Sequence, residues 1–245
     1  MTAAPFARTR AADTSPQPVG APLPDWRPAA PPAAEPLSGC GVRLEPLHPA
    51  RHADALFAAY RAAADGRDWT YLPVGPFASA DAFRAYLDAI ARTADPLHYA
   101  VVDNASGLAL GTLALMRQQP AHGVIEVGCV AFSPALQGTR LATAAQFLLM
   151  SYVFDRLGYR RYEWKCDRLN QRSRRAAQRL GFRYEGTFRQ AMVYKGRNRD
   201  TAWFSIIDAE WPPIRAALLR WLDADNFDAH GRQRARLASL RAHGG

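Results

Sequence analysis

Residues 132–143, with the sequence FSPALQGTRLAT, decide the fold because they join an apolar strand to a long helix through a short turn. The first turn of that helix carries small side chains at Gly138, Ala142 and Thr143. The free backbone N–H groups of a helix start and the positive end of the helix dipole suit an anion such as a pyrophosphate. Many ordinary helices begin in this way, so the junction alone does not separate an anion site from a plain helix start.

The segments on either side predict an alternation of helices and strands. Helical spacing is found over 50–64, from Ser79 onward, over 140–157 before Gly158, over 171–180 before Gly181, and over 212–222. Alternating or apolar runs predict strands over 42–47, 98–103, 109–116, 123–132 and 161–166, with two further strands ending near Asp208. We therefore expect an α/β domain over residues 41–210.

The two ends of the chain differ from this domain. Nine of the eighteen prolines lie in the first 38 residues, which predicts that residues 1–40 form an arm that is largely extended or disordered. Trp26 in this arm either docks on the domain or stays free. Residues 211–245 predict a helical tail that either covers the domain or forms a homodimer contact.

Composition excludes several classes of protein. The 245 residues are 49% hydrophobic, 11% aromatic and 22% charged, which is typical of a globular protein. No stretch approaches the roughly 18 consecutive apolar residues of a membrane span, and no apolar run follows the first residues as in a secretory signal, so we expect a cytoplasmic protein. The three cysteines, Cys40, Cys129 and Cys166, fit neither a disulfide framework nor a metal site.

The basic excess is made almost entirely of arginine. The net charge is +9, and only two of the 31 basic residues are lysines. Because arginine binds phosphate through two parallel hydrogen bonds, the excess predicts either a solvated basic surface with one phosphate-ligand site or a polyanionic partner.

Two further features carry chemistry. Residues 169–182 combine Asn170, a run of arginines and the stop at Gly181; the Asn alone could be a helix cap and the arginines alone a solvated face. Glu126 shares a strand face with Val124 and Val130. Burial there would raise the pKa of its carboxyl and make it a useful base, although a place at the rim of a pocket would explain the residue equally well.

In this order and spacing, the features resemble the GCN5-related N-acetyltransferase (GNAT) family, most closely its ribosomal-protein-alanine N-acetyltransferase (RimJ/RimL-like) branch. The likeness covers about residues 42–208, and the stretches that carry it are 128–143, 163–167, 170–173, 179–186 and 195–200. It implies a GNAT fold, in which helices flank a mixed, mostly antiparallel, splayed central sheet. It also implies an acyltransferase that uses acetyl-CoA as acyl donor and needs no metal.

The resemblance places acetyl-CoA between the strand that ends at Phe132 and the strand that begins near Arg161. The pantetheine would pair with the backbone of Val130, Ala131 and Phe132. The pyrophosphate would lie on the amides of Gln137, Gly138, Thr139, Arg140, Leu141, Ala142 and Thr143. Asn170 would bind the pantetheine end, and Ser173 would lie near the thioester sulfur. Charge and placement alone add Arg140, Arg172 and Arg175 as candidates for the nucleotide phosphates.

Two positions depart from the family pattern. The acetyl-CoA loop usually reads Gln/Arg-x-x-Gly-x-Gly/Ala, and here Arg140 occupies the first glycine position; its amide stays usable if the side chain points outward. Many members carry a tyrosine as general acid seven positions after the Asn, where this chain has Ala177. Ser173 is the substitute that the resemblance suggests, with Tyr184, Tyr194 or water as alternatives.

The sequence therefore predicts direct acetyl transfer to a primary amine, with Glu126 as base, acting through a water, and Ser173 as acid. The acceptor stays open between a protein N-terminus, a polyamine and another small amine. Four aromatic residues would line the acceptor side or belong to the core: Trp69, Tyr71, Phe77 and Trp203. The alternatives are a basic nucleic-acid-binding module, which the absence of a recognition motif disfavours, and a GNAT-fold protein that binds CoA without catalysis.

Overall fold

The fold is built on one sheet of eight strands, seen in a computed structural model that describes residues 17–242. The strands are β1 (Leu37–Gly39), β2 (Val42–Pro46), β3 (Leu97–Asp103), β4 (Ala109–Gln119), β5 (Val124–Phe132), β6 (Arg161–Asp167), β7 (Arg183–Tyr194) and β8 (Arg197–Ile207). Their spatial order is β1-β2-β3-β4-β5-β6-β8-β7, and every pair is antiparallel except β5 with β6.

Helices cover both faces of the sheet because side chains alternate along each strand. They are α1 (Pro49–Arg61), α2 (Ala80–Ile90), α3 (Arg140–Ser151), α4 (Gln171–Leu180), α5 (Trp211–Leu222) and α6 (Leu237–Ala242). On one face, Leu56 of α1 and Phe83 of α2 pack with Val102 of β3. On the other, Leu149 of α3 packs with Ile125 of β5 in the larger core cluster.

The parallel pair separates part of the way along its length. β5 and β6 are in register only from Val124 opposite Arg161 to Val127 opposite Trp164. Residues 128–132 then continue β5 beside β4, with no partner on the β6 side. The expected mixed, mostly antiparallel and splayed sheet is confirmed, and the splay opens a cleft between the two strands.

Local sequence accounts for the helix limits. α4 has the predicted bounds, capped by Asn170 and closed by Gly181 at a φ of 112°. α3 is shorter than the predicted 140–157, because the α-helix gives way at Tyr152 to a wider π-helical turn that runs to Arg156. In that turn the Leu157 amide donates to the Tyr152 carbonyl, five residues back.

The segment before the sheet lies on the domain. Residues 17–36 contain no helix or strand, yet the Trp26 indole donates to the Ala121 carbonyl at 3.2 Å. β1 adds an edge strand at Leu37, so the sheet begins before residue 41. The prediction for residues 1–16 lies outside the described residues. Among the described helices, none has the length and apolar character that crossing a membrane requires.

Candidate functional site

A cleft of about 1080 Å³ opens where β5 and β6 separate. Its walls come from the end of β5, the start of α3, the inner face of α4 and the loop that contains Trp69. The last wall is a stretch that begins at the end of α5 and that we call the C-terminal segment, residues 221–233. The cleft therefore brings together most of the residues that the sequence predicts to bind acetyl-CoA.

The β5 wall offers an unpaired strand edge. Val130, Ala131 and Phe132 all line the cleft beyond the last β5–β6 pair. The Tyr60 hydroxyl donates to the Ala131 carbonyl at 2.9 Å and so fixes this part of the strand from α1. A β-bulge at Cys129, whose φ is 51°, turns the strand where the cleft begins. An extended chain can therefore pair with β5 here as an added strand.

The start of α3 leaves three amides without an acceptor in the described part of the chain: those of Gly138, Arg140 and Leu141. The Thr139 hydroxyl caps the helix by accepting from the Ala142 amide at 3.1 Å. Gly138 precedes the cap at a φ of 73°, a conformation that favours glycine. Of the seven amides that the sequence predicts for a pyrophosphate, these three are thus free to bind an anion.

The α4 wall carries Asn170 and Ser173. The Asn170 side chain accepts from the Ser173 amide at 3.1 Å, so it caps the helix as it lines the cleft. The Ser173 hydroxyl accepts from the Trp164 indole N–H at 2.9 Å. Because an indole only donates, the Ser173 hydroxyl keeps its own hydrogen for another acceptor. Burial raises the pKa of the nearby Cys166 thiol, and the Ser173 hydroxyl opposes that rise.

Glu126 lies in a buried ion network and not on the lining of the cleft. It is 4% exposed, and the Lys165 ammonium lies 2.8 Å from its carboxylate and 2.7 Å from that of Glu163. Arg117 approaches Glu126 at 3.5 Å. Burial raises the pKa of Glu126 on balance, although Lys165 and Arg117 oppose the rise by favouring the charged form. Its pairing with Lys165 depends on neighbouring strands and was not part of the sequence prediction.

The three arginine candidates for the nucleotide phosphates lie in three different environments. Arg172 lines the cleft and pairs with Asp68 across it at 3.5 Å. Arg175 is exposed on α4 and is not among the lining residues. The Arg140 guanidinium turns to the C-terminal segment, where it donates to the Leu222 carbonyl and lies 5.0 Å from the centre of the Phe227 ring.

Of the four aromatic candidates for the acceptor side, two line the cleft and two do not. Trp69 and Tyr71 line the cleft. Phe77 packs edge-on against Trp69 at 5.4 Å between ring centres, within the cluster formed by α1 and α2. Trp203 lies outside the cleft lining, stacked on Phe188 at 4.4 Å with the Lys165 ammonium 3.7 Å from its ring centre.

Sequence reasoning missed several lining residues, among them Tyr60, Gln146, Arg179, Trp221, Phe227 and Gln233. A signal existed for Arg179, because Ser173, Ala176 and Arg179 recur at the spacing of one helix face. The same spacing turns Arg175 away. The C-terminal residues had no such signal, since only the tertiary fold brings them to the cleft.

The alternatives to Ser173 as acid are bound elsewhere. The Tyr194 hydroxyl donates to Asp167 at 2.8 Å, and burial raises its pKa to about 12. Tyr184 shares a hydrogen bond with Thr187, and neither tyrosine lines the cleft. Burial raises the pKa of the Cys129 thiol, which disfavours a thiolate nucleophile there. Within residues 17–242, no cluster of side chains suited to a metal ion is found.

Comparison with known proteins gives one consistent result. A family model described as the acetyltransferase (GNAT) domain matches residues 42–183. A GCN5-related N-acetyltransferase structure from Brucella melitensis is 49% identical, covers 90% of this chain and 100% of its own, and superposes with a TM-score of 0.88. A probable acetyltransferase of the GNAT family from Chromobacterium violaceum ATCC 12472 is 47% identical, with coverages of 80% and 97% and a TM-score of 0.74.

A curated relative bears on the branch of the family. It is named "Putative ribosomal N-acetyltransferase YdaF", comes from Bacillus subtilis (strain 168) and is 27% identical over 105 residues. The match spans 43% of this chain and 57% of that relative. It supports the RimJ/RimL-like resemblance at low identity.

Proposed function

The chain belongs to the GNAT acetyltransferase family, and we propose that it transfers an acetyl group from acetyl-CoA to a primary amine in the cleft between β5 and β6. The observation that carries this proposal is an unpaired edge of β5 that lies in the same cleft as three free amides at the start of α3. Such an arrangement suits an extended pantetheine joined to a pyrophosphate. The cleft volume of about 1080 Å³ leaves room for both.

The donor would lie along β5 with its phosphates at α3. Its pantetheine would pair with the backbone of Val130 to Phe132, and its pyrophosphate would accept from the amides of Gly138, Arg140 and Leu141. Asn170 and Ser173 face the same space from α4. This order places the thioester towards the base of the cleft, where β5 and β6 meet and Glu126 is located.

The transfer itself needs a neutral amine. Glu126, through a water, would take a proton from the substrate ammonium, and the amine would then attack the thioester carbonyl carbon. The nitrogen of the tetrahedral intermediate would lose a second proton to water, and the intermediate would collapse by breaking the carbon–sulfur bond, which releases a neutral amide and the CoA thiolate. A backbone N–H near Cys129 or Val130 would stabilise the oxyanion, and the Ser173 hydroxyl would hydrogen-bond or protonate the thiolate.

Lys165 and Glu163 would act as positioning residues for this base. Lys165 lies within 2.8 Å of both carboxylates, so it orients Glu126 and keeps it ionised against the cost of burial. Proton release would then pass through water on the side of the sheet where Trp203 lies over Lys165. That side is the approach we assign to the acceptor.

The acceptor classes are a protein N-terminus, a polyamine and another small amine. The name of the curated relative makes the N-terminus of a ribosomal protein the first to test. Trp69 and Tyr71 would contact the acceptor where the cleft opens. We place the reaction in the cytoplasm, where acetyl-CoA and such amines occur together. The apolar side of α5, with Ile214 and Leu218, is buried in the core of the same chain, so this helix covers the domain, and the proposed homodimer would use another surface.

A thiol-release assay tests this function. The purified chain with acetyl-CoA is offered N-terminal Ala and Ser peptides, polyamines and small amines, and free CoA is measured with the acetylated product by mass spectrometry. We expect turnover with one class and stoichiometric CoA and product. Binding of acetyl-CoA without turnover on any amine would favour a CoA-binding protein that lacks catalysis. RNA binding that falls steeply with salt, without acetyl-CoA binding, would favour the nucleic-acid alternative.

A further inference from the structure

Two arginine side chains line the end of the cleft between α3, α4 and the C-terminal segment. They are Arg140 from α3 and Arg179 from α4. Arg241 comes from α6, which packs against α4. The pKa of Arg179 is lowered by burial first and then by repulsion from Arg241. Residues 221–241 lie beyond the region that the family model matches.

One aromatic ring and one hydroxyl hold the Arg179 guanidinium in place. Its guanidinium lies 4.5 Å from the centre of the Trp221 ring, and its Nη1 donates to the Thr143 hydroxyl at 3.0 Å. Thr143 is in the first turn of α3, next to the free amides of Arg140 and Leu141. Arg179 therefore faces the same volume as the amides that we assign to the pyrophosphate.

Arg140 completes the arrangement from the other side. Its guanidinium packs on Phe227 and donates to the Leu222 carbonyl. The Trp221 indole in turn donates to the Gln233 side chain at 2.8 Å, which ties the start of the C-terminal segment to its end. The segment thus orients both cleft arginines.

Among the described residues, the positive charges of Arg140, Arg179 and Arg241 have no carboxylate partner. The Nε atoms of Arg140 and Arg241 are buried without a hydrogen-bond partner. Burial lowers the pKa of Arg179 and of Arg241, which reports the cost of holding a charge there. All three side chains are half-buried. A cation that is partly removed from water and has no carboxylate partner is costly, and an anionic ligand that enters the cleft would relieve that cost.

We propose that Arg179, supported by Arg140 and Arg241, binds a phosphate group of the nucleotide half of acyl-CoA, and that the C-terminal segment is a wall of the donor site. This inference rests on the proposed function. Its chemistry is that of a phosphate on a planar guanidinium beside free backbone amides. Two phosphates of the donor could occupy it, the pyrophosphate and the 3′-phosphate of the ribose.

Calorimetric titration of four proteins with two ligands tests the proposal. The proteins are wild type, Arg179→Met, Arg241→Met and the control Arg92→Met, which removes one charge from an exposed position after α2. The ligands are CoA and dephospho-CoA, which lacks only the 3′-phosphate. Loss of one charge-assisted hydrogen bond should raise the Kd of Arg179→Met for CoA about 10- to 100-fold, with a smaller rise for Arg241→Met.

The two ligands distinguish the two phosphates. If Arg179 binds the 3′-phosphate, Arg179→Met weakens CoA binding and leaves the Kd for dephospho-CoA at its wild-type value. If Arg179 binds the pyrophosphate, both Kd values rise by the same factor. Either result supports the proposal. A Kd for both ligands equal to that of Arg92→Met would overturn it.

The failure of this proposal differs from the failure of the proposed function. If wild type binds neither ligand, the donor site itself is wrong; if wild type binds CoA and Arg179→Met binds it equally well, only the arginine site is wrong. Thermal unfolding of each variant without ligand reports folding. If Arg179→Met does not fold, Arg241→Met decides, because an unchanged Kd for CoA in that variant would overturn the proposal.

Discussion

The two ends of the cleft handle buried charge in opposite ways. Near the junction of β5 and β6, Glu126 and Glu163 share the Lys165 ammonium at 2.8 and 2.7 Å. Between α3 and α4, the cationic side chains of Arg140 and Arg179 have aromatic, hydroxyl and carbonyl partners but no carboxylate among the described residues. We propose that the first end serves proton transfer and that the second binds an anion.

Glu126→Gln should show the largest effect, because it removes the base and keeps the size of the side chain. We expect kcat to fall about 10²- to 10⁴-fold, with the Kd for acetyl-CoA within about twofold of wild type. Steady-state rates from pH 6 to 9 and calorimetry measure the two quantities. Wild-type turnover across that range would show that another group, or bulk water, takes the proton.

Lys165→Met should shift the pH profile. If Glu126 is the base, activity needs its ionised form and is lost as pH falls through the pKa of that carboxyl, which burial raises above the ordinary value. Removing the ammonium takes away the main opposing effect, and the acidic limb of kcat/KM should move to higher pH by about one unit or more.

Lys165→Arg is the matched control, since it keeps the positive charge and should leave the limb near its wild-type position. Thermal unfolding separates a loss of fold from a change in titration, because two buried carboxylates that lose their shared ammonium also lower stability. If the acidic limb of kcat/KM does not move in Lys165→Met, Glu126 does not take part in the rate-determining proton transfer.

Ser173→Ala should lower kcat about tenfold, less than Glu126→Gln, because a thiol with a pKa of about 8.5 leaves with little help from an acid. The comparison that sharpens this result uses Ser173→Cys, which keeps a weak donor of similar size. A rate in Ser173→Ala equal to wild type, measured at saturating acetyl-CoA, would assign protonation of the thiolate to water.

Ionic strength should produce the smallest of the expected effects, and it should act differently on the two ends of the cleft. Raising the ionic strength from about 0.05 to 0.5 M should weaken acetyl-CoA binding by about three- to tenfold, since screening acts on unpaired charges near solvent. The kcat at saturating donor should change less than twofold, because Glu126 and Lys165 are buried. A large fall in kcat with an unchanged Kd would reverse the comparison.

Local patterns in the sequence were sufficient for much of the fold. Helix α4 begins after Asn170 and ends at Gly181, as predicted, because each residue acts through its own backbone neighbours. The start of α3 at Arg140 follows in the same way from Thr139. The splayed sheet came from the family resemblance and is confirmed by the β5–β6 register.

Other features depend on contacts between distant segments. β1 forms because Leu37 pairs with Leu44 of β2. Its three residues are too few to show a strand pattern in the sequence. Lys165 is a plain basic residue in the sequence until the parallel register brings it to Glu126.

The candidate site shows the same division. The residues on β5 and at the start of α3 were predicted from sequence order, and all of them except Leu141 line the cleft. Arg175 was chosen by charge, whereas helix geometry brings Arg179 to the cleft instead. Trp221 and Phe227 could not be predicted, because their place depends on how α5 packs against α3.

Titration of the purified protein with acetyl-CoA by calorimetry is the most direct test of the central claim that this cleft binds the donor. We predict one-to-one binding with a Kd in the micromolar range, weakened by salt and retained in Glu126→Gln. Absence of binding at millimolar acetyl-CoA would contradict the claim that this cleft is the donor site.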